Sequence, residues 1–549
     1  MNKLAIYHKS DSLYSFALDA DTAELRLRVA KGDVKSVKLI YGMKHKFCQK
    51  QESADMCLNC SDGTYDYFTV RLRLKDKRLA YVFYIEGADG EKCYYSEDGA
   101  SKTYDFSLAY YNFFQLAYIN ENDVMGKVDW LTRAVVYQIF PDRFCRGCDG
   151  ESGHITMKWG DKPTPTSFAG GDLWGIIKKL DHICGLGVNT LYLTPIFTSD
   201  TNHKYDTIDY YNVDPHFGGN EAFSLLMKEC KKRGVRVILD AVFNHCSDKF
   251  DKFRDVAENG INSPYHDWFI IRGDKPIKRP LNYEVFSSCE YMPKWNTANP
   301  EVQEYLCQIG EYWIKEYGVD GWRLDVSDEV SHDFWRMFRK RIKALGPDKA
   351  LIGENWHDSQ SYLIGDQFDS IMNYAFTKAM LDFFVYGALD AKGLAERLNG
   401  LMMRNITQVN SMMLNLLDCH DTHRFYTLCG KNEGKLYNAL AVEMFMPGAP
   451  MIYYGTENLT EGGYDPDNRR CFDWNKSGEF TEKVAELTSY KKLLALCEGD
   501  AKFYSDGGLF FAERYTDTQR VTLVVNNTNK TLSARGYTVG ADAHKITVQ

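Results

Sequence analysis

The sequence predicts an α/β protein: a (β/α)8 barrel with a subdomain inserted after its third strand, an N-terminal β-sandwich and a small C-terminal β-domain. Three observations predict it. Up to about residue 120, polar and apolar positions alternate, as in Leu25-Arg26-Leu27-Arg28-Val29 and Phe68-Thr69-Val70-Arg71-Leu72-Arg73-Leu74, the period of half-buried antiparallel strands. From Ala134 onward, eight short apolar runs are separated by amphipathic helical stretches, the strand count of a TIM barrel. Beyond about residue 500 the alternation returns in Arg520-Val521-Thr522-Leu523-Val524-Val525.

Taken in order, turn signals such as Ala88-Asp89-Gly90 break the first region into strands, which places a sandwich over residues 1–120. Residues 121–495 hold the barrel. Its expected strands are Ala134–Phe140, Thr190–Ile196, Arg236–Asn244, Gly321–Val326, Leu351–Trp356, Ser370–Phe376, Met413–Asp421 and Pro450–Glu457. The gap between the third and fourth far exceeds an ordinary loop, so an insertion is expected at about 246–300. Residues 496–549 form the last β-domain.

A length of 549 residues fits several domains, and 44% hydrophobic with 26% charged residues is a globular balance. The net charge of -9 leaves no basic excess for phosphates, so nucleic acid is not an expected partner. No apolar run is long enough to cross a bilayer, and no signal peptide is read at Met1–Lys9. Fifteen scattered cysteines do not make a disulfide framework, so a cytoplasmic location is expected. Cys57-Leu58-Asn59-Cys60 and Cys145-Arg146-Gly147-Cys148 fall in different domains, so reduced thiols are preferred to a zinc site. Aromatic residues reach 14%, suited equally to a core and to the faces of neutral ligands.

Barrel chemistry belongs at the C-terminal ends of the strands, and acids stand there repeatedly: Asp240, Asp325, Glu354 and Asp421. Singly, each would be a helix cap or a solvated acid. Four on one rim repel one another unless a reaction requires them. Arg323 lies two residues before Asp325 and shares its strand face, so it is expected to hold Asp325 ionised, as a nucleophile needs. The apolar neighbours of Glu354 are expected to raise its pKa toward that of a general acid. His420 supplies a donor beside Asp421. Paired carboxyl groups with opposite roles fit glycosidic bond hydrolysis.

At these residues the sequence resembles the α-amylase superfamily, glycoside hydrolase family 13, over about residues 130–475. Asp240-Ala241-Val242-Phe243-Asn244-His245, Gly321-Trp322-Arg323-Leu324-Asp325-Val326, Gly353-Glu354-Asn355-Trp356-His357-Asp358 and Asp418-Cys419-His420-Asp421-Thr422 are similar, in order, to its four signature regions. The resemblance implies that Asp325 is the nucleophile, Glu354 the acid/base and Asp421 the transition-state stabiliser, with retention at α-glucosidic bonds. Met292-Pro293-Lys294-Trp295-Asn296 and Asn202-His203-Lys204-Tyr205-Asp206-Thr207 resemble the neopullulanase, cyclomaltodextrinase and maltogenic amylase group. By that resemblance His203, Tyr205, Asp240, Asn244, His245, Phe286, Arg323, Trp356, Tyr374, His420, Asp465 and Arg469 line the sugar subsites. It also implies a homodimer in which each sandwich, similar to a carbohydrate-binding module, covers its partner's cleft.

The implied substrates are cyclodextrins, pullulan or maltooligosaccharides cleaved at α-1,4 bonds, with possible transfer to sugar acceptors. An exo-acting α-glucosidase or general α-amylase is the enzyme alternative, and a catalytically silent glucan-binding protein the alternative of another class. Trp295 stands where the group carries Leu, which is expected to reshape the acceptor side. The group's calcium loop would place Ca2+ near Asp149, Gly171 and Asp172, but Arg146 and Cys148 replace hard oxygen ligands there, which argues against the ion.

Overall fold

The structure is a computed structural model that describes residues 1–11, 13–147, 153–476 and 478–549. Eight parallel strands follow one another around a ring: β1 (Val136–Ile139), β2 (Thr190–Leu193), β3 (Arg236–Ala241), β4 (Gly321–Leu324), β5 (Ala350–Gly353), β6 (Ser370–Ile371), β7 (Leu414–Leu416) and β8 (Ala449–Tyr453). Each pairs with its chain neighbour, β8 returns to β1, and a single bridge from Met372 to Leu414 joins β6 to β7. The ring is therefore closed, and no barrel strand is left as an edge.

The barrel strands are buried on both faces, as runs such as Leu191-Tyr192-Leu193 and Val237-Ile238-Leu239 require. Helices with one apolar stripe cover them, among them Gly219–Lys232, Pro300–Tyr317 and His332–Leu345. All eight strands end sooner than the apolar runs suggest, most of them by two to five residues. β3 stops at Ala241 rather than Asn244. The expected strand Ser370–Phe376 keeps two residues, because Asn373 accepts a hydrogen bond from the Phe376 N–H and starts the helix Tyr374–Met380.

Between β3 and β4 the chain leaves the barrel. The helix Asp251–Asn259 and isolated bridges joining His245 to Lys294, Phe269 to Trp295 and Val285 to Pro293 make a small unit. Its core is aromatic, and Trp295 lies fully buried inside it, stacked on Phe269 with ring centres 5.2 Å apart. Trp295 is thus a core residue of the insertion, and its backbone N–H donates to the Asn244 carbonyl at 3.0 Å.

The N-terminal strands are all antiparallel and share one core that includes Leu25, Leu27, Leu39, Phe68, Phe83 and Phe114. A four-stranded sheet, Asp500–Asp506, Leu509–Tyr515, Arg520–Asn526 and Ala543–Val548, closes the chain. Among the described residues no helix is long and apolar enough to cross a membrane.

Candidate active site

The C-terminal rim of the barrel gathers the expected acids around one guanidinium. Arg323, on β4, is buried, and its Nη1 donates to both oxygens of Asp240 on β3 (2.9 and 3.0 Å) and to Asp325 Oδ1 (2.6 Å). Its Nη2 lies 2.9 Å from Glu354 Oε2, just beyond β5. Strand alternation places Arg323 and Asp325 on one face, and the barrel brings Asp240 and Glu354 to them from the neighbouring strands.

Glu354 is further fixed by the Val326 N–H, 2.9 Å from Oε2, and by the Trp356 indole N–H, 3.1 Å from Oε1. The Trp356 ring stacks on Tyr374, centres 3.7 Å apart and nearly parallel. Trp356 is 45% exposed, so this pair offers an open aromatic face beside the carboxyl group.

Three buried carboxyl groups around one guanidinium cannot all be ionised at low cost. Burial pushes Asp325 well above the usual carboxylate range; Arg323 opposes this, while Glu354 and Asp240 add to it. Burial likewise raises Asp240 to about 6 against the pull of Arg323. The expected division, with Arg323 simply keeping Asp325 charged, is therefore not what the structure draws. Arg323 is shared by all three groups.

Opposite them stand His420 and Asp421, beyond β7. His420 Nε2 is 3.1 Å from Asp421 Oδ2 and also meets the Tyr205 hydroxyl, while Nδ1 meets the Gln138 amide nitrogen at 2.8 Å. Tyr205 bonds Asp240 Oδ2 at 3.1 Å, which links the two halves of the rim. Arg469 reaches Asp421 Oδ1 at 3.3 Å and Asp465 Oδ1 at 2.9 Å, and its Nε donates to the His420 carbonyl. Asp465 and Arg469 thus belong to the rim and are not an isolated surface pair.

His245 is buried and His203 half-buried, and desolvation lowers both to about 3, so both are neutral. His203 Nδ1 accepts from the Tyr205 N–H, and His245 stacks on Phe286 at 4.8 Å. Asn244 bridges His245 Nδ1 at 3.3 Å to the Lys294 ammonium. The structure therefore brings every expected catalytic and subsite residue into direct contact with another member of the set. Two neighbours were missed in the sequence: Gln138, and Tyr192, whose hydroxyl donates to Asp240 Oδ2 at 2.7 Å. A lone amide inside the apolar run Val135-Val136-Tyr137-Gln138-Ile139-Phe140 was the available signal for the first.

The calcium candidates occupy a separate loop. Asp149 lies outside the described residues. Asp172 caps the helix Leu173–Lys178 by accepting from the Gly175 N–H at 2.7 Å. Gly171 packs so tightly that an added Cβ would sit 2.2 Å from the Pro141 carbonyl. Arg146 Nε donates to the Ala169 carbonyl at 2.8 Å, and Asp142 is bound by Arg143 and by the N–H groups of Ala169 and Gly170. The Ala169 carbonyl and the carboxyl groups of Asp142 and Asp172 thus already hold protein donors.

Residues 138–494 match the α-amylase catalytic domain, and residues 1–120 match the α-amylase N-terminal Ig-like domain. The chain is 41% identical over 542 residues to a cyclomaltodextrinase of Thermoanaerobacter pseudethanolicus, covering 96% of this chain and 93% of that protein. It is 40% identical over 538 residues to neopullulanase 2 of Thermoactinomyces vulgaris, covering 95% and 91%. A solved cyclomaltodextrinase superposes with a TM-score of 0.91 at 36% identity, over 97% of this chain and 94% of that one. With both domains matched and relatives aligned almost end to end, this chain belongs to the α-amylase family, within the group of the cyclomaltodextrinases and neopullulanases.

Proposed function

We propose that this enzyme hydrolyses α-1,4-glucosidic bonds of cyclodextrins, pullulan or short maltooligosaccharides with retention of configuration, and transfers glycosyl groups to sugar acceptors. The observation that carries the reading is the single guanidinium of Arg323 spanning Asp325 and Glu354, at 2.6 and 2.9 Å. One fork holding both groups favours the short carboxyl separation of retaining glycosidases, about 5–5.5 Å, over the roughly 6.5–9.5 Å that admits a separate water.

Asp325 attacks the anomeric carbon while Glu354 protonates the leaving oxygen. Glu354 then accepts a proton from the water that releases the sugar. The crowded carboxyl groups favour retention of one proton at neutral pH, and the reaction consumes a proton at the leaving oxygen. Asp421 and neutral His420 face the developing oxocarbenium charge, and the aromatic faces of Tyr205, Phe286 and Trp356 carry sugar rings.

Calcium is left out of this reading, because Arg146 already places a cation on the Ala169 carbonyl. Thirteen described cysteines, Cys145 not counted among them, are free thiols, which supports a reducing, cytoplasmic setting. A homodimer is part of the proposal: exposed Leu108, Tyr110 and Tyr111 on the sandwich supply an apolar patch for such a contact.

The test is the product profile on β-cyclodextrin, pullulan and maltotriose. Ring opening of the cyclodextrin with panose from pullulan is expected. Stepwise glucose release from chain ends would instead indicate an exo-acting glucosidase. Inertness on all three, with the protein folded, would refute hydrolysis.

A further inference from the structure

Gln138 has no part in the chemistry described so far, yet it holds the one ring nitrogen of His420 that faces away from Asp421. Both side chains are fully buried, and the amide nitrogen lies 2.8 Å from Nδ1. The protons on this chain can be placed from its other end. Tyr205 donates its single hydroxyl proton to Asp240 Oδ2 at 3.1 Å, so His420 Nε2, which meets that same hydroxyl oxygen, must carry a proton. In a neutral imidazole the other nitrogen is then bare, and only a donor fits against it. The Gln138 amide supplies that donor, at the cost of leaving its own Oε1 buried without a partner. An acceptor there would stabilise either an imidazolium or the opposite tautomer.

The groups facing His420 agree with a neutral ring. Arg469 and Arg323 bring positive charge toward it, Glu354 brings negative charge, and Tyr205, itself bonded to Asp240, offers a hydroxyl. Burial is the largest influence, and with the two guanidinium groups it holds His420 well below its ordinary value. Neutrality has a chemical use: an imidazolium beside an oxocarbenium-like sugar would oppose the charge that develops there, whereas a neutral N–H still donates.

We infer that Gln138 is a positioning residue that fixes the Nε2–H tautomer of His420, so that a neutral donor faces Asp421 and the sugar. The catalytic consequence rests on the glycosidase reading above; the tautomer does not. Gln138→Glu keeps the shape and replaces the donor by an acceptor. Its kcat on maltotriose is expected to fall on the order of 100-fold, between the 10–100-fold cost of a lost outer partner and the ~10⁴-fold cost of a wrong tautomer. KM should move far less, and the pH profile should gain the ionisation of His420. Gln138→Met, which neither donates nor accepts, is expected to lose less.

The companion measurement is 15N NMR of histidine-labelled protein, with His420 assigned by its loss in His420→Asn. The wild type should show an unprotonated Nδ1, and the Gln138→Glu variant a protonated one. A protonated Nδ1 in the wild type overturns the inference. So does a folded Gln138→Glu variant with unchanged kcat and pH profile, or one whose activity falls while the tautomer stays the same, since that is packing alone. Wild-type protein inert on glucans would sink the hydrolase reading while leaving the NMR result to decide the tautomer.

Discussion

Asp325 is costly to bury, and the cost has a sign. Its folded pKa is raised above the unfolded value of 3.8 by burial, against Arg323, so the penalty is absent below about pH 4, grows as pH rises, and levels off above the folded pKa. Asp325→Asn removes it. That variant is expected to lose at least about 10⁴-fold in kcat, yet to melt about 1–3 °C higher than wild type at pH 7.5. The gain should nearly vanish at pH 4.5; calorimetry at the two pH values checks it. At this scale the sequence was most legible where residues sit within a few positions of each other, as with Arg323 and Asp325. It was least legible where partners arrive from other strands. The sharing of Arg323 among Asp240, Asp325 and Glu354, and the Gln138 amide behind His420, exist only once the barrel closes.

Among the elements, the loop leading to Leu173–Lys178 is the place where the calcium expectation is tested. Among its described residues, Arg146 donates to the Ala169 carbonyl and Asp172 caps the helix that follows. A chelator such as EDTA is therefore expected to leave both the melting temperature and the activity unchanged. A drop of several degrees, restored by Ca2+, would show that the loop is a metal site after all. Element type was readable because buried strands and amphipathic helices have different periods, and all eight barrel strands appear. Their ends were not. Asn373 turns the expected continuation of β6 into a helix start, and an N-cap bond outweighs the apolar run Ile371-Met372-Asn373-Tyr374-Ala375-Phe376.

At the scale of the whole molecule, a buried ion network ties the sandwich to the barrel. Arg26 is buried, pairs with Glu24 at 2.8 Å and donates to the Asn405 carbonyl at 2.8 Å. Arg71 joins Glu24 to Asp500 of the C-terminal sheet. Removing Arg26 leaves buried Glu24 with the half-exposed Arg71 as its one cationic partner and the Thr407 hydroxyl as a neutral donor, a loss on the order of 3–5 kcal/mol. Arg26→Ala is expected to split off a lower-temperature transition for the sandwich in calorimetry, with the barrel transition in place. A single unchanged transition would mean that the domains are held by their apolar contact instead. None of this network was legible in the sequence, since Arg26 and Asn405 are 379 residues apart. The order of the domains was legible, because each declares its own period.

The central claim is that Asp325 forms a covalent glycosyl intermediate which Glu354 helps to make and to release. Maltosyl fluoride reports on it directly, since fluoride leaves without protonation, so a Glu354→Gln variant should still be glycosylated but deglycosylate slowly. Peptide mass spectrometry of that variant after reaction is predicted to find the maltosyl group on the peptide carrying Asp325, and none in Asp325→Asn. An adduct on another carboxyl group, or release of product with inverted configuration and no adduct at all, would contradict the account.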